Sequence, residues 1–135
     1  MKVVLDTNCL LQILGAKSRY AFLLDKFLQE EYVLCVSSDI LLEYEEILKE
    51  KASGIASDLF MKIISRSRNV VRKDPYYRLN IIQQDKDDNK FTDCAFACNA
   101  DVIVTNDNHF SDAAKSPFPM FRVVSLDCFS DMMSQ

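Results

Sequence analysis

Short, almost wholly apolar segments alternate with segments of helical periodicity along this chain of 135 residues. The strand-like segments are rich in Val, Ile and Leu, and they lie at residues 3–5, 32–36, 70–71, 102–105 and 122–125. A strand that is buried on both faces has a continuous apolar sequence, because neither face meets water. Such strands alternating with helices predict an α/β fold with three layers, α/β/α, around a central, mainly parallel five-stranded sheet.

The helices are predicted from apolar residues that recur every three or four positions. These segments lie at residues 20–29, 38–51, 57–67 and 89–99, and a short helix is expected after residue 125. Gly54 predicts a break before the third helix, in which Leu59, Ile63 and Ile64 are expected to face inward. Residues 74–90 contain Asp-Pro and the charged run QQDKDDNK, which together indicate a loop.

The composition favours one globular domain over residues 1–135, with 49% hydrophobic residues and only 2 Gly and 3 Pro. The chain opens with MKVVLD, which lacks a signal-peptide core, so a cytoplasmic protein is expected. Five scattered cysteines and a single histidine exclude a Cys/His zinc module and predict buried free thiols. The net charge of −4 argues against nucleic-acid binding by bulk electrostatics, but not against an enzyme that meets phosphates through bound cations.

Acidic residues recur at the predicted carboxyl ends of the strands, where open parallel sheets form their sites. Asp6 follows the first strand, Glu43 lies one turn into the helix after the second, and Asp107 follows the fourth. Asp93 lies in the helix that leads into the fourth strand, just after the acid-rich residues 85–88. Because converging carboxylates repel one another, this set requires a cation, and hard oxygen ligands suit Mg²⁺ or Mn²⁺.

Each of these residues also has an ordinary structural explanation. Asp6 can form an Asx turn or cap a helix. Glu43 and Glu45 border opposite edges of the apolar stripe of their helix, so helical phase does not choose between them. His109 is expected to be a loop histidine without a special role.

Asp88 and Asp93 present a further alternative. Asp87 or Asp88 is most simply the N-cap of the helix that carries Asp93. The two residues are five positions apart, about 140° around a helix, so both face one site only if Asp88 precedes the first turn. Asp93 is unusual because it lies in an otherwise apolar segment, FTDCAFAC.

The densest basic stretch lies in the middle of the chain, beside Tyr76 and Tyr77. Its cations are Lys62, Arg66, Arg68, Arg72, Lys73 and Arg78. Cations mixed with aromatic faces suit a track for single-stranded RNA. An ordinary solvated helix end and loop explain the same residues equally well.

The ordered set of these segments resembles the PIN-domain family, whose members are compact α/β ribonucleases. The matching segments are VVLDTNCLL at 3–11, SSDILLEYEEIL at 37–48, DKDDNKFTDCAFACNADVIVTNDNHF at 85–110 and RVVSLDCF at 122–129. The third segment is the most specific, because it is similar to a branch of the family that carries D-x-D-D-N-K-F. Many members are the toxins of toxin–antitoxin pairs, and this chain looks VapC-like.

The resemblance implies a divalent-metal-dependent endoribonuclease that uses Mg²⁺ or Mn²⁺, with RNA as substrate and an antitoxin protein as partner. It assigns the catalytic and metal-binding roles to Asp6, Glu43, Asp93 and Asp107. Asp88 is a further candidate metal ligand, and Asn8 and Thr105 match residues that line the pocket. The products it implies carry a 5′-phosphate and a 3′-hydroxyl.

Two other functions stay open on the sequence. A response-regulator-like phosphoacceptor domain is also a small parallel α/β fold with acidic strand ends, but it needs an Asp after the third strand, where Arg72 and Lys73 stand. The chain can also be a non-catalytic PIN-like binding module. A homodimer is expected if exposed aromatic residues pair, with candidates Phe110, Phe118 and Phe121.

Overall fold

The structure is a computed structural model, and it describes residues 1–83, 85–117 and 119–134. Within these residues the strands are β1 (Lys2–Leu5), β2 (Val33–Val36), β3 (Val70–Arg72), β4 (Val102–Val104) and β5 (Val123–Val124). They form one sheet in the order β3-β2-β1-β4-β5, and every neighbouring pair is parallel. The predicted parallel five-stranded sheet is confirmed.

Helices connect the strands and give the predicted three-layer arrangement. They are α1 (Thr7–Leu14), α2 (Phe22–Leu28), α3 (Ser38–Lys51), α4 (Gly54–Arg66), α5 (Asn89–Cys98), α6 (Ser111–Ala114) and α7 (Leu126–Met133). Short 3₁₀ turns cover Lys86–Asp88 and Asn108–Phe110. Among the described residues, no helix combines the length and the apolar character that crossing a membrane requires.

The sheet reverses its direction of growth between β1 and β4. From β1 the chain builds outward through β2 to β3, and then returns to the other side of β1 to add β4 and β5. A crevice forms at the carboxyl ends of two strands that diverge in this way, which is where doubly wound folds bind ligands. Asp6 directly follows β1, and its backbone N–H bonds the carbonyl of Val104 in β4 at 3.0 Å.

The core lies on both faces of β1, whose Val3 and Val4 are fully buried. Helix α5 packs on β1, β2 and β4, and it buries Phe91 and Cys94 there. Each fully buried side chain of this size contributes about 1.5–3 kcal/mol to folding, so the sheet gives a rigid platform for the residues at its edge.

Three helices differ from the sequence prediction. Helix α1 (Thr7–Leu14) and helix α6 (Ser111–Ala114) were not expected. Helix α4 begins at Gly54 rather than after it, because the Ser53 side chain accepts a hydrogen bond from the N–H of Ala56 and caps the helix there. Gly54 occupies the first helical position instead of breaking the chain.

Some positions predicted to be in the core or on the surface are wrong, because the rotation of a helix or turn about its axis decides which side chains face inward. The buried stripe of α4 runs through Ser57, Phe60 and Ile64, so Leu59 is 59% exposed instead of facing inward. Phe110 was expected on the surface, but the 3₁₀ turn points its ring into the core, where it is 1% exposed. Phe121 is half-buried, and Phe118 lies outside the described residues.

Candidate active site

Asp6 is held at the carboxyl end of β1 by the residue that follows β4. Its Oδ2 accepts a hydrogen bond of 2.9 Å from the Thr105 hydroxyl, and both residues are buried. Asp6 stands at the N-cap position of α1, yet its side chain makes no capping hydrogen bond. Burial raises the pKa of Asp6 against the opposing Thr105 bond, and the nearby carboxylates of Asp107 and Glu43 raise it further. The capping alternative for Asp6 therefore does not hold.

Glu43 approaches from α3, and the neighbouring Tyr44 fixes its position. The buried Tyr44 hydroxyl donates a hydrogen bond to the carbonyl of Leu5, which ties α3 to the end of β1. Glu43 then accepts a hydrogen bond from the Thr7 hydroxyl, and its Oε1 lies 2.7 Å from Lys90 Nζ. Tertiary packing thus selects Glu43 for this edge of the sheet.

Glu45, the other candidate on that helix, is occupied elsewhere. It pairs with Lys49 one turn along α3 at 3.5 Å. The Lys90 pairing with Glu43 was not expected, because the sequence prediction found no cation among the strand-end positions. Lys90 comes instead from the first turn of α5 and also contacts Asp87 at 3.3 Å.

Asp107 begins the 3₁₀ turn after β4. Its Oδ1 accepts a hydrogen bond of 2.9 Å from the backbone N–H of His109, and its own N–H donates to the Thr105 hydroxyl at 3.0 Å. Thr105 therefore connects Asp6 and Asp107 through one side chain. The second polar residue of the resemblance, Asn8, is exposed in the first turn of α1.

Asp88 faces Asp6 and Asp107 from the start of α5. It stands at the predicted N-cap position of α5, although its side chain makes no capping hydrogen bond there. Its Oδ2 is buried and has no hydrogen-bond partner among the described residues. Burial, with the carboxylates of Asp85, Asp6 and Asp107, raises the pKa of Asp88 to about 7, although His109 opposes the shift.

Asp93 lies apart from these residues and is buried in the protein. Its Oδ1 accepts a hydrogen bond of 2.9 Å from the backbone N–H of Leu79. Burial raises the pKa of Asp93, and the Leu79 bond and the positive charge of Arg78 oppose that shift. It lines a separate pocket of about 150 Å³ with Arg78, Lys86 and other residues. Of the predicted acids, the structure brings Asp6, Glu43, Asp88 and Asp107 together, and we call these four the acidic cluster.

The basic stretch is divided between the two edges of the sheet. Arg66 ends α4 and Arg68 precedes β3, so both lie at the amino edge, away from the acidic cluster. Arg68 is engaged there by the Glu30 carboxylate through bonds of 3.0 and 3.1 Å. At the carboxyl edge, Arg72 ends β3 and donates to the Ser38 hydroxyl at 3.0 Å, and Lys73 follows it.

Three adjoining pockets lie along the carboxyl edge, and we call them together the groove. The first contains Glu43 and Lys90, the second contains Arg78 and Asp93, and the third contains Tyr76 and Tyr77. Adjoining sections share lining residues: Lys90 belongs to the first two sections and Pro75 to the last two. The two tyrosine side chains are among the most exposed apolar groups, at 98% and 70%.

The acidic cluster fits a divalent cation. Among the described residues, no Lys or Arg forms an ion pair with Asp6, Asp88 or Asp107. The buried Asp88 oxygen lacks a donor, and the mutual repulsion of the three carboxylates is what a bound cation removes. Their oxygens are the ligand type that Mg²⁺ and Mn²⁺ prefer.

A family model described as PIN domain matches residues 2–109, which include every member of the acidic cluster. The chain belongs to the PIN domain family. A search of curated protein sequences finds no matching relative. Membership of this family, together with the acidic cluster, supports a nuclease.

Solved structures of low sequence identity share the fold of this PIN domain. VapBC2 from Rickettsia felis, bound to a DNA fragment from its promoter, aligns with a TM-score of 0.63 at 16% identity, over 93% of this chain and 98% of that chain. Mycobacterium tuberculosis VapC20, described as a sarcin-ricin loop cleaving toxin, aligns with a TM-score of 0.60 at 15% identity, over 82% and 94%. FitAcB from Neisseria gonorrhoeae aligns with a TM-score of 0.56 at 16% identity, over 92% of this chain and 97% of that chain.

Proposed function

We propose that this PIN domain is a divalent-metal-dependent endoribonuclease of the cytoplasm and the toxin of a toxin–antitoxin pair. The observation that carries the proposal is the group formed by Asp6, Asp88 and Asp107. These carboxylates converge at the switch point of the sheet, and the described residues supply no Lys or Arg to pair with them.

The residues of the acidic cluster have separate tasks. Mg²⁺ or Mn²⁺ would be held by Asp6, Asp88 and Asp107. The Thr105 hydroxyl fixes the orientation of the Asp6 carboxylate through its hydrogen bond to Oδ2. Thr7 and Lys90 fix the Glu43 carboxylate from two sides. The cation, when bound, activates water and stabilises negative charge on the phosphodiester.

The groove supports single-stranded RNA as the substrate. Lys73 and Arg78 can contact phosphates, while Tyr76 and Tyr77 offer exposed faces on which unstacked bases pack. A duplex presents no such free bases. Because Lys90 joins the groove to Glu43, a strand that stacks on the tyrosines passes beside the acidic cluster.

An apolar groove supports the antitoxin as a partner. It has a volume of about 410 Å³, and Leu11, Leu14, Leu24 and Ile63 are among the side chains that line it. The exposed Leu59 lies on its rim. Such a surface suits the apolar face of a partner helix, and VapBC2, which shares this fold, is a complex.

A cleavage assay with end-labelled single-stranded RNA and tag-free protein tests the activity. We expect cleavage with Mn²⁺ or Mg²⁺, none in EDTA, and none with Asp6→Asn when circular dichroism shows an intact fold. Asp58→Asn, which changes an exposed carboxylate on α4, is the matched control and keeps full activity. Products with a 5′-phosphate are expected.

Two results would contradict the proposal. Undiminished cleavage in EDTA would exclude a role for the metal. Cyclic phosphate ends would indicate a metal-free route. That route usually needs two histidines as acid and base, and this chain has one. For the toxin role, we expect growth arrest on expression that a co-expressed antitoxin relieves. Arrest that persists with Asp6→Asn separates toxicity from catalysis.

A further inference from the structure

His109 lies over the acidic cluster with its ring nitrogen directed at carboxylates. Its Nδ1 is 3.7 Å from Asp88 Oδ2 and 3.3 Å from Asp107 Oδ1. Two buried side-chain atoms of the described residues lack a hydrogen-bond partner, and they are Asp88 Oδ2 and His109 Nδ1. The two orphaned atoms thus face each other.

Their separation does not suit a direct bond. At 3.7 Å, nitrogen and oxygen are beyond hydrogen-bond range, so neither atom relieves the other. The separation does suit two ligands of one cation. Nitrogen and oxygen ligands lie about 2.0–2.2 Å from a transition-metal ion, so two of them are at most roughly 4.4 Å apart. Asp85, Asp88 and His109 each offer a ligand atom within 4.8 Å of the others.

The backbone holds the imidazole in this place. The N–H of His109 donates to Asp107 Oδ1 at 2.9 Å, which closes the 3₁₀ turn. The next residue, Phe110, is buried against Phe91 of α5, with ring centroids 6.0 Å apart. A side chain anchored on both sides needs little reorganisation to bind an ion.

Resting on the proposed function, we infer that His109 is a metal ligand through Nδ1, together with the Asp85 and Asp88 carboxylates. A nitrogen ligand changes which ion the site prefers. Mg²⁺ takes oxygen ligands almost exclusively and gains little from imidazole, whereas Mn²⁺ and later divalent ions accept nitrogen. The site therefore binds Mn²⁺ more tightly than Mg²⁺, and His109 is the source of the difference.

The single histidine of the chain makes a direct test possible. Pulsed electron paramagnetic resonance on tag-free protein with Mn²⁺ detects the ¹⁴N coupling of a coordinated imidazole, and any such signal belongs to His109. We expect the coupling in the wild type and none in His109→Gln. Calorimetry should give a Mn²⁺ affinity about tenfold weaker in His109→Gln, with Mg²⁺ affinity unchanged. Circular dichroism of both proteins reports whether the fold is kept.

The outcomes separate the two proposals. Mn²⁺ binding without ¹⁴N coupling in the wild type, or with the same affinity in His109→Gln, overturns the role of His109 and leaves the metal-dependent nuclease intact. If Asp88→Asn abolishes Mn²⁺ binding while His109→Gln does not change it, the ligands are the carboxylates alone. If the wild type binds neither ion, the metal dependence of the proposed function fails as well.

Discussion

Asp93 in α5 and Asp88, which directly precedes the first turn of that helix, have opposite surroundings. Asp93 accepts a hydrogen bond from Leu79 and lies in the field of Arg78. Asp88 is five positions earlier and faces Asp6 and Asp107, and among the residues that the structure describes its Oδ2 has no donor. A buried carboxylate that is satisfied by its own protein contributes to structure, while one left unsatisfied among like charges requires something from outside.

The contrast extends to the regions around the two residues. Three members of the acidic cluster, Asp6, Asp88 and Asp107, form no ion pair with a Lys or Arg of the described residues. The pocket of Asp93, in contrast, contains Arg78, Lys86 and Lys90. We therefore expect changes in the acidic cluster to affect catalysis and metal binding. Changes along the groove should affect substrate affinity.

The largest expected effect is on the cleavage rate, when Asp88 and Asp93 are each replaced by Asn in separate variants. Asp88→Asn should lower kcat by about 10²–10³-fold, as the loss of a group that stabilises charge at a reaction centre does. Asp93→Asn should retain most of the cleavage rate. It should lose at most about 1 kcal/mol of unfolding free energy, because its amide oxygen can still accept the Leu79 N–H and only the charge on the acceptor is removed. Rate assays and urea unfolding of both variants check this. A loss of kcat in Asp93→Asn at unchanged stability would reverse the comparison.

The next effect concerns the tyrosines at the far end of the groove. Base stacking on an aromatic side chain contributes about 1–3 kcal/mol per base, so Tyr77→Leu should raise the KM for single-stranded RNA about 5–100-fold at unchanged kcat. Steady-state kinetics with a short single-stranded substrate measure the split. If Tyr77→Leu lowers kcat and leaves KM unchanged, the groove does not guide the substrate.

The pH dependence of stability isolates Asp88. The pKa of Asp88 is raised to about 7 in the folded protein, whereas it is about 3.9 in the unfolded chain. At pH values between these two, Asp88 is therefore protonated in the folded protein and ionised in the unfolded chain. The unfolding free energy of the metal-free protein should therefore fall as pH rises from about 4 to 7, by at most about 1.4 kcal/mol per unit from this group. Asp88→Asn should reduce that slope. Urea titrations of the apo protein at several pH values test it, and an unchanged slope would contradict the burial argument.

The smallest effect compares the two sheet edges. Arg78→Gln should weaken RNA binding and reduce its salt dependence, because it removes a phosphate contact at the carboxyl edge. Arg68→Gln at the amino edge should leave RNA binding unchanged and change the unfolding free energy little, since its pair with Glu30 is exposed. Fluorescence anisotropy at two salt concentrations measures both variants. Equal weakening would mean that the substrate covers both edges.

Much of this architecture is predictable from local patterns. The continuous apolar segments give the parallel sheet, and the carboxylates that follow them give Asp6, Glu43 and Asp107 at one edge. The sequence could not choose between Asp88 and Asp93, because that choice depends on where α5 begins. The 3₁₀ turn over Lys86–Asp88 puts Asp88 before the first turn of α5, where it can face Asp6.

His109 illustrates the other limit of sequence reasoning. As a lone histidine in a polar loop it carries no periodic or spacing signal, and only the fold brings its Nδ1 to Asp88. The basic stretch is divided for a related reason: residues that are close in sequence lie at opposite edges of the sheet, because β3 separates Arg68 from Arg72.

The sequence by itself determined the α/β sheet and the acidic ends of its strands, because burial of apolar runs and the polarity of strand ends are local properties. The tertiary structure decided which carboxylates meet, which are paired, and which cations share their edge. Those outcomes depend on distances between residues far apart in the chain, and Coulomb and hydrogen-bond energies follow those distances rather than sequence order.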